Sequence, residues 1–222
     1  MLALAIADIL LITAGLALFP KVVGQGGLLG AGAASALVAV YGWIAVFSPL
    51  RPERVDGQLW KNGVRVGVAG GLWLGLDLLS NYFIYRDGST NSKISLIVYG
   101  VYFLLLVGVA ASGARATGRI KSGMVAALWY TLPAQLIWLC SEFACYYLFS
   151  RTVIGTRFIE TEMHDDFERH GAGGDFQTYV IGDFFGAGFF HLLLIGLVGV
   201  LLFGSLGAAI GKVIAALKRR EA

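Results

Sequence analysis

The chain has 222 residues, of which 57% are hydrophobic and only 14% charged, with a formal net charge of +3. A soluble domain carries roughly a quarter charged residues, so this composition excludes an ordinary water-soluble globule and points to lipid as the solvent. The small positive excess forms no basic stripe, which excludes nucleic acid as a partner. Cys140 and Cys145 fall five apart on one predicted helix, a spacing that suits neither a mutual disulfide nor a metal pair.

The first apolar run covers about 2–19 and stops at Pro20-Lys21. It lacks a basic leader and carries Asp8 in its middle, so it reads as a retained first helix, not a signal peptide. The second span, about 26–47, opens on a Gly/Ala-rich stretch with Gly26 and Gly30 four apart, a spacing suited to close helix packing. Pro49 and Pro52 then break the helix into a loop holding Arg51, Arg54, Lys61 and Arg65. The third span, about 64–85, turns through Arg86-Asp87-Gly88, and the fourth, about 94–111, leaves into Arg115, Arg119 and Lys121. The fifth, about 124–149, contains Pro133, which predicts a kink. A polar loop over 151–178 precedes the sixth span, about 179–210, and Lys212, Lys218, Arg219 and Arg220 follow.

These runs predict an all-α fold: a polytopic transmembrane helix bundle of six spanning helices forming a single integral membrane domain over 1–222. Within the polar loop, Ile159, Met163 and Phe167 recur every four residues. They predict a short amphipathic helix between spans five and six, stopped by the glycines at 171, 173 and 174. Six spans put both termini on one side. Placing them in the cytoplasm puts 11 of the 17 Lys/Arg inside and leaves the loop 151–178 extracytoplasmic, as the positive-inside rule requires.

Four acids, Asp8, Asp77, Glu142 and Asp183, fall inside the predicted spans, and no Lys or Arg lies deep in any of them. An ionised carboxylate in hydrocarbon needs a cation, water or strong donors, or must take up a proton. With spans three and five running outward and span six inward, Asp77, Glu142 and Asp183 share the outer half. His191 lies two turns below Asp183 and about 80° around the helix from it. Tyr82 and Tyr147 add hydroxyls at similar depth. The expected site is an outward-opening cavity of Asp77, Glu142, Asp183, His191, Tyr82 and Tyr147 that binds or moves a proton, a cation or a small cationic solute. The competing reading of each acid is a protonated or hydrogen-bonded helix contact, and it is the favoured one for Asp8. For His191 the competing reading is a satisfied buried histidine.

Spacing also suggests an internal echo, with Trp73, Asp77, Tyr82 and Arg86 repeated as Trp138, Glu142, Tyr147 and Arg151. In the outer loop, Glu160, His164 and Glu168 stack at four-residue intervals, a weak pattern for a divalent metal ion, with Asp165–Arg169 pairing as the plain alternative. No HExxH, phosphate loop, dinucleotide fingerprint or serine elbow is present. Two further functions stay open. One is a non-catalytic subunit packing on itself or on membrane-complex partners through Gly-rich faces, including Gly196, Gly199, Gly204, Gly207 and Gly211. The other is an intramembrane enzyme on lipid or isoprenoid substrates with Asp77 and Glu142 as acid and base.

Overall fold

The computed structural model describes residues 1–47, 57–84, 88–170 and 174–219, and these are almost wholly helical, with no strand among them. The helices are α1 (Leu2–Leu18), α2 (Gly27–Phe47), α3 (Gly57–Phe83), α4 (Gly88–Thr117), α5 (Ile120–Phe149), α6 (Val153–His170), α7 (Phe176–Phe190) and α8 (Ser205–Lys218). Between α7 and α8 the chain stays helical but widens into π turns over His191–Val198 and Val200–Gly204, so Phe176–Lys218 forms one long rod. The loop around Pro49 and Pro52, Arg86, Arg220 and the glycine stop at 171–173 lie outside the described residues.

Five helical stretches are long and apolar enough to cross a bilayer: Gly27–Phe47, Trp60–Phe83, Ser89–Thr117, Ile120–Phe149 and Phe176–Lys218. The Leu2–Leu18 helix is equally apolar but shorter, at 17 residues. The outer surface is aliphatic, with Leu29, Leu76, Leu96, Leu104 and Leu201 all exposed, as lipid contact requires and water does not tolerate over so large an area. The molecule is built as an integral membrane protein. Helices α3, α4 and α5 extend several residues beyond the expected spans, because the polar ends left out of the hydropathy windows continue the same helical ladder.

At the centre stands α5, buried along most of its length and continuous through Pro133. Its closest neighbour is α3, which approaches along a glycine stripe at positions 63, 67, 71 and 75. A β-carbon at Gly71 would sit 2.8 Å from the Ala134 carbonyl, and one at Gly67 would strike the Tyr130 carbonyl and the Pro133 ring. Backbone-to-backbone contact of this kind lets dispersion replace the hydrophobic drive that lipid removes. The same device joins α8 to α4, where Gly207 meets Val107 and Gly211 meets Ala111. Gly30 of α2 packs on Phe185 and Gly186 of α7, Gly196 on Tyr41, Gly199 on Phe103 and Gly204 on Ala127. The C-terminal glycines expected to face partner subunits are therefore occupied within the chain.

The two ends of the bundle differ. The α4–α5 turn meets the end of α8, where Gly118 approaches the Arg219 guanidinium, and this end carries Arg115, Arg119, Lys121 and Lys218. Across the other end lies α6, packed on α3, α5 and α7. Its Phe158 ring sits 4.5 Å from Tyr82, Ile159 is buried, and Phe167 packs at 5.3 Å on Phe176 and 5.4 Å on Tyr179. These phenylalanines hold α6 to its own bundle.

Candidate functional site

The glycine stripe sets the site as well as the seam. Gly75 lies against Ser141, whose hydroxyl would be 2.7 Å from a β-carbon there. That register brings Asp77, two residues past Gly75, to the same level as Glu142, one residue past Ser141. Each is about two helical turns from the α6 end of its helix. Both carboxylates line one cavity of about 180 Å³, closed by Leu74, Leu78, Asn81 and Tyr82 of α3, Ser95 and Tyr99 of α4, Trp138 of α5, Phe158 of α6 and Phe184 of α7. No Lys, Arg or His lines it among the described residues.

Glu142 is only 7% exposed, and its Oε2 has no hydrogen-bond partner. Asp77 is half-buried. Asn81 lines the main cavity and also a second, water-sized space of about 10 Å³ with Asn91, Phe158 and the exposed Arg157, Thr161 and Glu162. The Oδ1 atoms of Asn81 and Asn91 are buried without partners. The small space and the main cavity thus share Asn81 and Phe158 in their walls.

His191 stands behind the cavity wall and not in it. Its ring stacks on Trp138 with centroids 3.4 Å apart and planes 6° from parallel. Nδ1 lies 2.7 Å from Gln135 Oε1 and Nε2 lies 2.9 Å from the Tyr99 hydroxyl. Gln135 Nε2 donates to the Tyr102 hydroxyl at 2.9 Å, so its Oε1 is left to accept from His191 Nδ1–H. The remaining lone pair at Nε2 then accepts from Tyr99. Both ring nitrogens are engaged, the arrangement of a satisfied buried histidine with none to spare for a pigment or haem iron. Trp138 and Tyr99, which do line the cavity, are the side chains this network positions.

Comparison with protein-family models, curated proteins and solved structures finds no match. The chemistry must be read from the site itself.

Of the six residues expected to share a cavity, Asp77, Glu142 and Tyr82 do, and His191 supports its wall. Tyr147 turns the other way and donates to the Leu11 carbonyl of α1 at 2.7 Å. Asp183 is exposed on the surface of α7. The 80° between Asp183 and His191 is enough to turn one inward and leave the other outside. The spacing echo brings the two acids together but not the tryptophans, and its Arg86 lies outside the described residues: Trp73 is 40% exposed and donates to the Val98 carbonyl, whereas Trp138 is buried against His191. Asp8 is completely buried in α1 with neither carboxylate oxygen hydrogen-bonded, so of the two helix contacts expected for it, protonated or hydrogen-bonded, the second is not made.

On α6, His164 lies 3.2 Å from Glu168, but Glu160 does not join them. Among the described residues no three His, Cys, Asp or Glu side chains gather as a metal site. Arg169 bonds the main-chain carbonyl of Asp165 and not its carboxylate. Tyr179 donates to Asp166, which also meets His170 at 3.1 Å, and these bonds hold its carboxyl below the usual range, Tyr179 first. Asp175 caps α7 by accepting from the Thr178 amide at 3.0 Å and the Thr178 hydroxyl at 2.8 Å, which likewise lowers its carboxyl. Missed from sequence were Tyr99, Gln135, Ser95, Phe158 and Phe184. Only Gln135 carried a signal, an amide within an apolar run that needs partners as surely as an acid does.

Proposed function

We propose that the chain is a six-span membrane protein whose α6-end cavity binds or moves a cation, a proton or a small cationic solute. Both termini are then cytoplasmic, and α6 is an amphipathic helix on the extracytoplasmic side. The observation that carries this reading is the meeting of Asp77 and Glu142 in one cavity, with Glu142 Oε2 unpartnered. A buried carboxylate without donors is stable only if something positive, or a proton, completes it. The unpartnered amide oxygens of Asn81 and Asn91 beside the cavity add polar groups on its α6 side, and the acids on α6 raise the local cation concentration there.

A lipid bilayer is the one partner this reading requires. For the subunit reading, Gly196, Gly199, Gly204, Gly207 and Gly211 are filled by the chain itself, whereas Gly26 and Gly32 at the start of α2 meet nothing within 4 Å. Among the described residues no Lys, Arg or His accompanies the two acids in the cavity lining, so the lining adds no support for an enzyme on lipid or isoprenoid substrates.

In proteoliposomes containing the purified full chain, Glu142→Gln and Asp77→Asn should each abolish pH- or cation-dependent flux, while Glu142→Asp keeps part of it. Flux that is absent from the unaltered protein, or unchanged in both variants, would overturn the reading.

A further inference from the structure

We propose that the cavity between Asp77 and Glu142 is a site for a small organic ammonium ion, a quaternary or protonated amine carrying short alkyl groups. The inference rests on the cation reading above and names the class of cation. Five helices each contribute one ring to the lining: Tyr82 from α3, Tyr99 from α4, Trp138 from α5, Phe158 from α6 and Phe184 from α7. Aromatic faces around a carboxylate are the recognised solution for alkylammonium groups. The ring quadrupoles attract the diffuse positive charge, and the alkyl groups lose little hydration on burial.

An inorganic ion is poorly served by the same walls. Calcium takes about six to eight oxygen ligands and magnesium a near-octahedral set. Here the five rings with Leu74 and Leu78 make up seven of the eleven lining side chains, and beyond the two carboxylates the only side-chain oxygens among the described residues are those of Asn81, Ser95 and the Tyr82 and Tyr99 hydroxyls. The volume argues in the same direction. About 180 Å³ is several times the roughly 30 Å³ share of a water molecule. A proton relay needs no such space, and a bare metal ion would rattle in it.

Charge and rigidity complete the case. Glu142, 7% exposed, presents Oε2 with no protein donor, so a cation in the cavity has a counter-ion that the fold leaves unsatisfied. Trp138 is held flat by the His191 stack on one side, and Tyr99 is tied to the same imidazole at 2.9 Å. Rings fixed before binding lose little entropy when the ligand arrives.

The test uses the full chain purified in a neutral detergent, with tetramethylammonium as the probe and sodium and potassium chloride as ionic-strength-matched controls. Calorimetric titration should show saturable tetramethylammonium binding that neither sodium nor potassium displaces. Glu142→Gln should abolish it. Phe158→Leu and Phe184→Leu, which remove a ring with little change in volume, should each weaken it about five- to tenfold, with thermal melts confirming that the variants remain folded. Binding that is equally tight in both leucine variants would overturn the aromatic cage. Failure of tetramethylammonium to bind, alongside proton or metal-cation flux that still depends on Glu142, would overturn the ammonium assignment and leave the cation reading standing. Absence of any Glu142-dependent binding or flux would overturn both.

Discussion

At the scale of single residues, the sequence displayed its acids and hid what holds them. Asp77 and Glu142 stand out because a charge in hydrocarbon is costly wherever it lies, and that cost needs no three-dimensional information. Their partners could not be chosen in the same way, because Tyr99, Tyr82 and Tyr147 are alike in sequence and differ only in the helix they face. Tyr82 reaches the cavity, whereas Tyr147 is drawn to the Leu11 carbonyl. Gln135 is the clearest case of a concealed role: fully buried, it accepts from His191 and donates to Tyr102. Gln135→Leu keeps the bulk but orphans both partners, at about 1–3 kcal/mol for each buried group left without a bond. The thermal midpoint of the detergent-purified chain should fall clearly, and cation binding should weaken as Trp138 and Tyr99 lose their support. An unchanged midpoint would show that this network contributes nothing to the fold.

At the scale of helices, the all-helical membrane fold and the order of its apolar runs were legible, five of the six expected spans being long and apolar enough to cross, because hydropathy over a span-length window reports burial in lipid directly. What such a window misses is which face meets which neighbour. The glycines at 63, 67, 71 and 75 form a regular stripe, yet in a chain with 31 glycines they do not stand apart from those that contact nothing. The structure separates them. A side chain at Gly71 meets the main chain of Ala134 at 2.8 and 2.9 Å, while one at Gly100 on α4 meets nothing within 4 Å. Main chain cannot swing aside, so Gly71→Leu must push α3 from α5 and should cost at least the 1–3 kcal/mol typical of an overfilled core, roughly. Because the same seam sets Asp77 level with Glu142, cation binding should fall with stability. Gly100→Leu should change neither. Equal melting of the two variants would mean that the α3–α5 contact is looser than the structure has it.

For the molecule as a whole, the open point is whether α1 crosses, since five crossings would place the termini on opposite sides and six on the same side. At 17 residues α1 is about 25 Å long, short of a hydrocarbon core of about 30 Å. Its direction is nevertheless fixed by its neighbours. The Leu11 carbonyl is bonded by Tyr147 near the α6 end of α5, and beyond α1 Lys21 meets Asp175 at 3.5 Å at the start of α7. The helix therefore finishes at the α6 end and starts towards the end that carries Arg115, Arg119, Lys121 and Lys218. A deficit of a few ångströms is within what local bilayer thinning absorbs at modest cost, and leaving α1 out of the bilayer would expose Ile6, Ile9 and Leu10 to water. These contacts favour the six crossings proposed above over five. Single cysteines at Ala3, Thr161 and Lys218, each in a background lacking Cys140 and Cys145, should separate the outcomes under a membrane-impermeant maleimide. Thr161→Cys should react in intact cells, and Ala3→Cys and Lys218→Cys only after lysis. Reaction of Ala3→Cys together with Thr161→Cys in intact cells would reduce the crossings to five and move the N-terminus to the side of the cavity mouth.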